Sequence, residues 1–261
     1  MTMRSITLIR QTSRVSNYLF THAPRVYAEL YHRYKRLSER TNIAVIKDLV
    51  KPGSCAVDIG ANIGFYTALL ADCVGPTGHV YAFEPDERNF ARLLASTRHR
   101  AQIQAERAAV TDVDGSVELY MSTDLNVDHR TYRDDDSSRV KVAVRGVSLD
   151  TFFRNAKAMP QFVKMDIQGA EYRVLLGMKE IVSRSPDLII LTELWPFVHD
   201  QFGNGLSTLL DLVDSWGFEM RRIVSSGNHL GDRISSSTPL PERADHDFQF
   251  DVLCCRAGRS L

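Results

Sequence analysis

A chain of 261 residues, 44% hydrophobic and 25% charged, has enough material for one large α/β domain with a buried core. Thirty-two basic residues balance thirty-two acidic ones, which argues against a partner held by overall charge, such as nucleic acid or an acidic surface. Four cysteines without a CxxC spacing exclude a disulfide framework and argue against a zinc site, and reduced thiols suit a cytoplasmic protein.

The charge is uneven along the chain. Residues 1–51 hold ten basic and three acidic side chains, and the excess reads as the solvated face of N-terminal helices, with a basic arm for an anionic partner as the alternative. Arg10 and Arg14 interrupt every apolar run there, so neither a signal peptide nor a membrane span is expected, and no membrane partner. Pro24 suits a first helical position, and Val26, Leu30, Tyr34 and Leu37 recur along one helical face. Residues 1–42 are read as a helical basic extension and 43–261 as the main domain.

From there short β-branched runs alternate with amphipathic stretches. Cys55–Ile59 reads as a strand ending in a glycine turn, Phe65–Cys73 as a helix, and His79–Phe83 as a strand. Glu87–Arg98 reads as a helix and Ile103–Val110 as a third strand. An insertion over about 116–145 breaks the rhythm, with Ser116–Met121 and Val140–Val144 alternating as strands around a polar connection. The rhythm resumes with a strand at Phe162–Asp166, a helix at Ala170–Ser183 and a strand at Leu188–Thr192. A helix at Leu206–Trp216 and strands at Phe218–Val224 and Phe248–Cys254 follow, with Ser225–Asp247 read as a long connection. The expectation is a seven-stranded, mostly parallel sheet with helices on both faces and a β-hairpin-like insertion.

The most informative stretch is Val57-Asp-Ile-Gly-Ala-Asn-Ile-Gly-Phe-Tyr-Thr67, in which a buried strand runs into a glycine turn and then a helix. The carboxyl end of such a strand is where ligands bind in open α/β sheets. A pyrophosphate-binding loop would carry a middle glycine where Asn62 stands, and Asp58 would repel pyrophosphate. A carboxylate suits a cationic amino-acid ligand, which favours S-adenosylmethionine over NAD. Glu84 closes the second strand, where an acidic side chain accepts from two ribose hydroxyls. The cofactor set read here is Asp58, Gly60, Ala61, Asn62, Gly64, Tyr66 and Thr67, joined by Glu84, Pro85 and Asp166.

VDIGANIGFYT, YAFEPDERNFARL, SLDTFF, KMDIQGAE and LTELWP, in that order over about residues 43–200, resemble the FkbM family of S-adenosylmethionine-dependent methyltransferases. The resemblance implies a Rossmann-like class I methyltransferase fold. It also implies O-methylation of a hydroxyl on a sugar, polyketide or other specialised metabolite. Gln168 stands where the family usually carries a glutamate.

Methyl transfer is an in-line displacement at a sulfonium methyl, so the enzyme mainly aligns the nucleophile and helps remove its proton. Asp166 and Glu193 end neighbouring strands and suit a base or a pair of ligands for a divalent ion such as Mg²⁺, unless Asp166 only caps the next helix. Glu171 reads as a first-turn helix carboxylate. In the insertion, Asn126-Val-Asp-His-Arg130 resembles a segment found in part of the FkbM family; His129 is the candidate base, with Asn126 and Arg130 as acceptor contacts. Glu193 and Trp195 are read as acceptor-binding residues on the same rim. The expected partner is a small-molecule hydroxyl acceptor, with a homo-oligomer left open. An RNA methyltransferase and a non-catalytic cofactor-binding scaffold are the competing readings, the first opposed by the neutral net charge.

Overall fold

Strand β1 (Cys55–Ile59) is buried at all five positions, as a central strand covered on both faces must be. Its pleat sends Cys55, Val57 and Ile59 into one apolar cluster and Ala56 into another, so a layer of side chains lies on each side of the sheet. The computed structural model describes residues 16–121, 140–196, 205–225, 229–236, 238 and 249–259.

A helical segment over 16–22 (α1) leads into α2 (Pro24–Ser38) and α3 (Arg40–Leu49). After β1 come α4 (Phe65–Val74), β2 (His79–Phe83), α5 (Glu87–Thr97) and β3 (Ile103–Glu106). Next are β4 (Ala109–Val110), β5 (Gly115–Met121), β6 (Val140–Val147) and α6 (Leu149–Phe152). Then follow β7 (Phe162–Met165), α7 (Glu171–Leu176), α8 (Lys179–Arg184) and β8 (Ile189–Leu194). The last elements are α9 (Leu206–Ser215), β9 (Phe218–Ile223), β10 (Leu230–Ile234) and β11 (Phe250–Arg256).

The main sheet has the order β10-β9-β11-β8-β7-β1-β2-β3. Strands from β3 to β8 are parallel, and β11 returns antiparallel between β8 and β9. Strand order reverses at β1, so the β1 and β7 ends open on one crevice, the switch point where α/β sheets take ligands. This is the mostly parallel, Rossmann-like sheet expected from the sequence.

Four details depart from the sequence reading. The main sheet has eight strands, because β10 pairs with β9 inside the segment read as a connection. Gly231 and a register shift blur its alternation, and it lies at an edge where half its face is wet. The stretch read as one third strand is two: β3 stays in the main sheet, and β4 pairs with β6. The insertion is therefore a three-stranded sheet, order β4-β6-β5, and not a bare hairpin. The helix expected over 170–183 breaks at Gly177, where a Cβ would meet the Thr111 carbonyl oxygen at 2.2 Å.

The N-terminal helix has the expected period but presents a different face. Val26, Leu30, Tyr34 and Leu37 are more than half exposed, while Tyr27 packs with Phe20 and Ile63. Helix α3 spans residue 42 without a break, so the extension runs directly into the domain. Cys254 and Cys255 fall into the clusters on opposite faces of the sheet, as adjacent strand residues should. Among the described residues no helix is long and apolar enough to cross a membrane.

Candidate functional site

The glycine loop owes its shape to backbone that side chains would block. Gly60 has φ +76°, and a Cβ there would lie 2.2 Å from the Asp166 carbonyl oxygen, so the end of β7 passes directly over the loop. Asn62 also adopts a left-handed φ of 51°, a conformation asparagine tolerates better than most residues. The N–H groups of Gly60 and Ala61 both donate to the Phe83 carbonyl at 3.0 Å, which ties the turn to the end of β2. Gly64 serves packing, since a Cβ would press on Ser96 and Leu93 of α5.

Two carboxylates hold this loop from different sides. Asp58, fully buried on the Ala56 face of β1, accepts from the Thr67 hydroxyl at 2.6 Å, and its other oxygen has no protein partner. Burial pushes its pKa up, opposed by Lys164 and Thr67. Neither Asp58 nor Thr67, both read as cofactor contacts, lines the two hollows beside the loop; their hydrogen bond ties the end of β1 to the start of α4. Glu84 accepts from the Asn62 N–H at 2.8 Å and from the Asp86 N–H at 2.9 Å. Burial raises it to about 7 against those two hydrogen bonds.

Glu84 lines a hollow with Ile59, Gly60, Asn62, Pro85, Ala108, Ala109, Val110, Leu119 and Ile167. An apolar slot with one buried carboxylate fits adenosine: the base takes the apolar walls, and the second lone pairs of Glu84 take the ribose hydroxyls. The buried Glu84 has no ion pair among the described residues, so hydroxyl donors are the partners it lacks. Its free space is about 60 Å³, so its walls must relax around a purine. Leu119, from the insertion, also lines this hollow, which isolated motifs do not indicate.

A second hollow of about 360 Å³ adjoins it, and Gly60, Asn62, Asp166 and Gln168 line both. That volume lies in the range of small-molecule sites. Its walls include Tyr66, Lys164, Thr192 and Glu193 from the sheet side and Tyr31, Lys35, Glu39 and Asn42 from α2 and the start of α3. The N-terminal extension, read as a solvated face, thus builds one side of the site. Lys35 and Glu39 sit at i,i+4 and look like an ordinary surface pair, and only the fold turns them inward.

The electrostatics centre on Asp166, whose carboxylate is about one-third exposed. It accepts from Lys164 Nζ and from Gln168 Nε2, each at 3.2 Å. Burial works to raise its pKa, but Lys164 and Lys35 outweigh that and hold it below the usual carboxylate range. Lys164 is the cation paired with Asp166, and among the described residues no group of three or more His, Cys, Asp or Glu is arranged to bind a metal ion. Gln168, at φ 56°, donates to Asp166, and the N-cap position of α7 is Ala170, which makes no side-chain cap. Asp166 therefore does not cap that helix; it lines both hollows.

Glu171 is buried in the first turn of α7 and accepts from the Gly169 N–H at 3.2 Å; burial raises it to about 7. Tyr66 donates to Glu39 at 2.9 Å and lines the second hollow. Burial, with Asp166 and Asp251 nearby, raises Glu193 to about 8. Trp195 is half-buried just past β8 and does not line either hollow among the described residues. Asn126, His129 and Arg130 lie outside the described residues.

Comparison with solved structures gives likenesses at low identity. A protein from Clostridium thermocellum described as an rRNA methylase is 13% identical, with 84% of this chain and 93% of that one covered and a TM-score of 0.47. A S-adenosylmethionine-dependent O-methyltransferase from Thermotoga maritima is 13% identical, covering 86% and 66%, at 0.43. A Streptococcus mutans methyltransferase in complex with S-adenosylhomocysteine is 11% identical, covering 84% and 96%, at 0.47. No curated protein matches the chain. The model of the methyltransferase FkbM domain matches residues 58–220, from Asp58 of the glycine loop into β9. With that match spanning most of the chain, this protein belongs to the FkbM family of S-adenosylmethionine-dependent methyltransferases.

Proposed function

We propose that the protein transfers a methyl group from S-adenosylmethionine to a hydroxyl of a small specialised metabolite such as a sugar or polyketide. The observation that carries this is the shared wall: Gly60, Asn62, Asp166 and Gln168 face both the adenosine slot and the larger polar hollow. With the adenosine part held in the first hollow, residues of that shared wall would lie between cofactor and acceptor, where alignment of the two governs transfer.

Bound S-adenosylmethionine supplies the electrophilic methyl; the chain supplies position and proton handling. Asp166, kept ionised by Lys164, accepts a hydrogen bond from the acceptor hydroxyl and orients it, while its depressed pKa makes it a weak base. His129 is assigned the proton, because histidine is available in its neutral form near pH 7. Glu193 binds the acceptor within the hollow. The polar lining, with Lys35, Glu39, Asn42, Lys164 and Glu193, suits a hydroxylated small molecule and lacks the broad basic surface that RNA requires. Incubation with labelled S-adenosylmethionine and panels of hydroxylated metabolites and RNA tests the reading. Label on oxygen of a small molecule supports it, and label in RNA alone sinks it.

A further inference from the structure

Glu193 of β8 and Asp251 of β11 are direct cross-strand partners, so their side chains leave the same face of the sheet, and both line the second hollow. Two like charges in that relation, both largely removed from water, are mutually unfavourable. The hollow's two ammonium groups are already paired elsewhere: Lys164 with Asp166, Lys35 with Glu39. Among the described residues neither Glu193 nor Asp251 has an ion pair.

A third group points the same way from a different element. Asn42 of α3 lines the hollow with only 5% of its surface exposed, and its Oδ1 has no hydrogen-bond partner. Its amide nitrogen donates to Glu39 at 3.1 Å, and Asp251 lines the same hollow. A buried carbonyl oxygen without a donor is costly, and it faces the same space as the two carboxylates. The hollow therefore lacks one thing: a cation with several N–H donors. An ammonium has three N–H donors and no acceptor, matching two carboxylates and one amide oxygen.

We propose that the acceptor carries a protonated amine beside the hydroxyl to be methylated, as in an amino sugar or other vicinal amino alcohol, with the ammonium held by Glu193, Asp251 and Asn42. This rests on the methyltransferase reading above and narrows its substrate class. The amine binds in its charged form, so it has no free lone pair and cannot compete with the hydroxyl as nucleophile.

The test is calorimetry on the full chain loaded with S-adenosylhomocysteine at pH 7, where the amino probe is mostly protonated. The probes are methyl 2-amino-2-deoxyglucoside and methyl glucoside, which differ at one substituent. The amino probe should bind at least tenfold tighter, and Asp251→Asn or Asn42→Ala should each erase most of that preference without changing affinity for S-adenosylhomocysteine. Asp251→Asn removes a like-charge contact, so its melting temperature should be unchanged or higher, which separates loss of recognition from loss of fold. Equal affinity for the two probes, binding of neither, or a preference that survives both substitutions overturns the proposal. Failure of the parent reading looks different. If the amino probe is preferred in calorimetry but a parallel incubation with S-adenosylmethionine puts no methyl on its hydroxyls, amine recognition stands and hydroxyl transfer falls; a methyl on its nitrogen overturns the proposal.

Discussion

The backbone N–H of Asn62 donates to Oε2 of Glu84 at 2.8 Å, so one carboxylate both holds the glycine loop in its left-handed turn and faces the adenosine slot. Glu84→Ala should therefore weaken S-adenosylmethionine binding through two routes, the lost ribose acceptor and a loosened loop. A hydrogen bond to a charged group is worth about 1.5–3 kcal/mol, or roughly ten- to a hundredfold in affinity. Calorimetry on the folded variant checks this, and an unchanged dissociation constant removes Glu84 from the site.

The same residue predicts a pH dependence of binding. Glu84 is raised to about 7 in the free protein, and ribose hydroxyls need its ionised form as acceptor. Cofactor affinity should fall as pH drops from 8 to 6, and Glu84→Gln should flatten that slope. Stability runs the opposite way. The folded pKa values of Glu84 and of Glu193, about 7 and about 8, lie above their ordinary value of 4.5. Their stabilising contribution is complete below that ordinary value and is lost as pH rises through the folded ones. The cofactor-free protein should melt at a lower temperature at pH 8.5 than at pH 5.5 on account of these groups, and the Glu193→Gln variant should lose part of that difference.

How far the site can be read from sequence depends on how its parts are spaced. Gly60, Asn62 and Glu84 announce themselves because strand, turn and acid fall within one βαβ unit, while Asp58, read with them as a ligand residue, lines neither hollow and bonds Thr67 instead. Lys35, Glu39, Asn42 and Asp251 do not announce themselves, since they come from opposite ends of the chain and meet only through topology. Helix α2 shows the same limit. Val26, Leu30, Tyr34 and Leu37 mark a valid apolar face, yet the helix docks through Tyr27 because the aromatic Phe20 lies beside it. Periodicity reports that a helix has a face and is silent on which neighbour claims it. β10 was illegible for a related reason, its alternation cut by Gly231 at a half-wet edge.

Gly60→Ala should be poorly tolerated. Its φ of +76° is unfavourable for alanine, and the added methyl would collide with the Asp166 carbonyl at 2.2 Å. Left-handed strain alone costs on the order of 1–3 kcal/mol, and the collision adds to it. Chemical denaturation should show at least that loss, accompanied by weaker S-adenosylhomocysteine binding; a variant as stable as the parent contradicts the close approach of β7 to the loop.

Lys164→Met tests whether a lysine, and not a metal, serves Asp166. Losing a 3.2 Å charged hydrogen bond should cost about 1.5–3 kcal/mol of stability and let the Asp166 pKa rise toward the ordinary range. Turnover of the parent protein should survive a chelator. Activity abolished by chelator and restored by Mg²⁺ would contradict the assignment.

His129→Ala should lower kcat by about 10²–10⁴-fold while leaving S-adenosylmethionine affinity nearly intact, since general-base assistance acts on the chemical step. The acidic limb of the pH–rate profile should vanish with it. A variant that keeps the parent kcat removes His129 from the chemistry and passes the proton to Asp166.

The central claim is that the hollow sharing Gly60, Asn62, Asp166 and Gln168 with the adenosine slot presents a hydroxyl to the sulfonium methyl. The most direct measurement is carbon NMR of products formed from S-adenosylmethionine labelled with ¹³C at the methyl group, using parent protein and Asp166→Ala. The account predicts a methyl ether on a small-molecule acceptor, strongly reduced in the variant. A methyl on nitrogen or carbon, or a methyl ether formed equally well without Asp166, would contradict it.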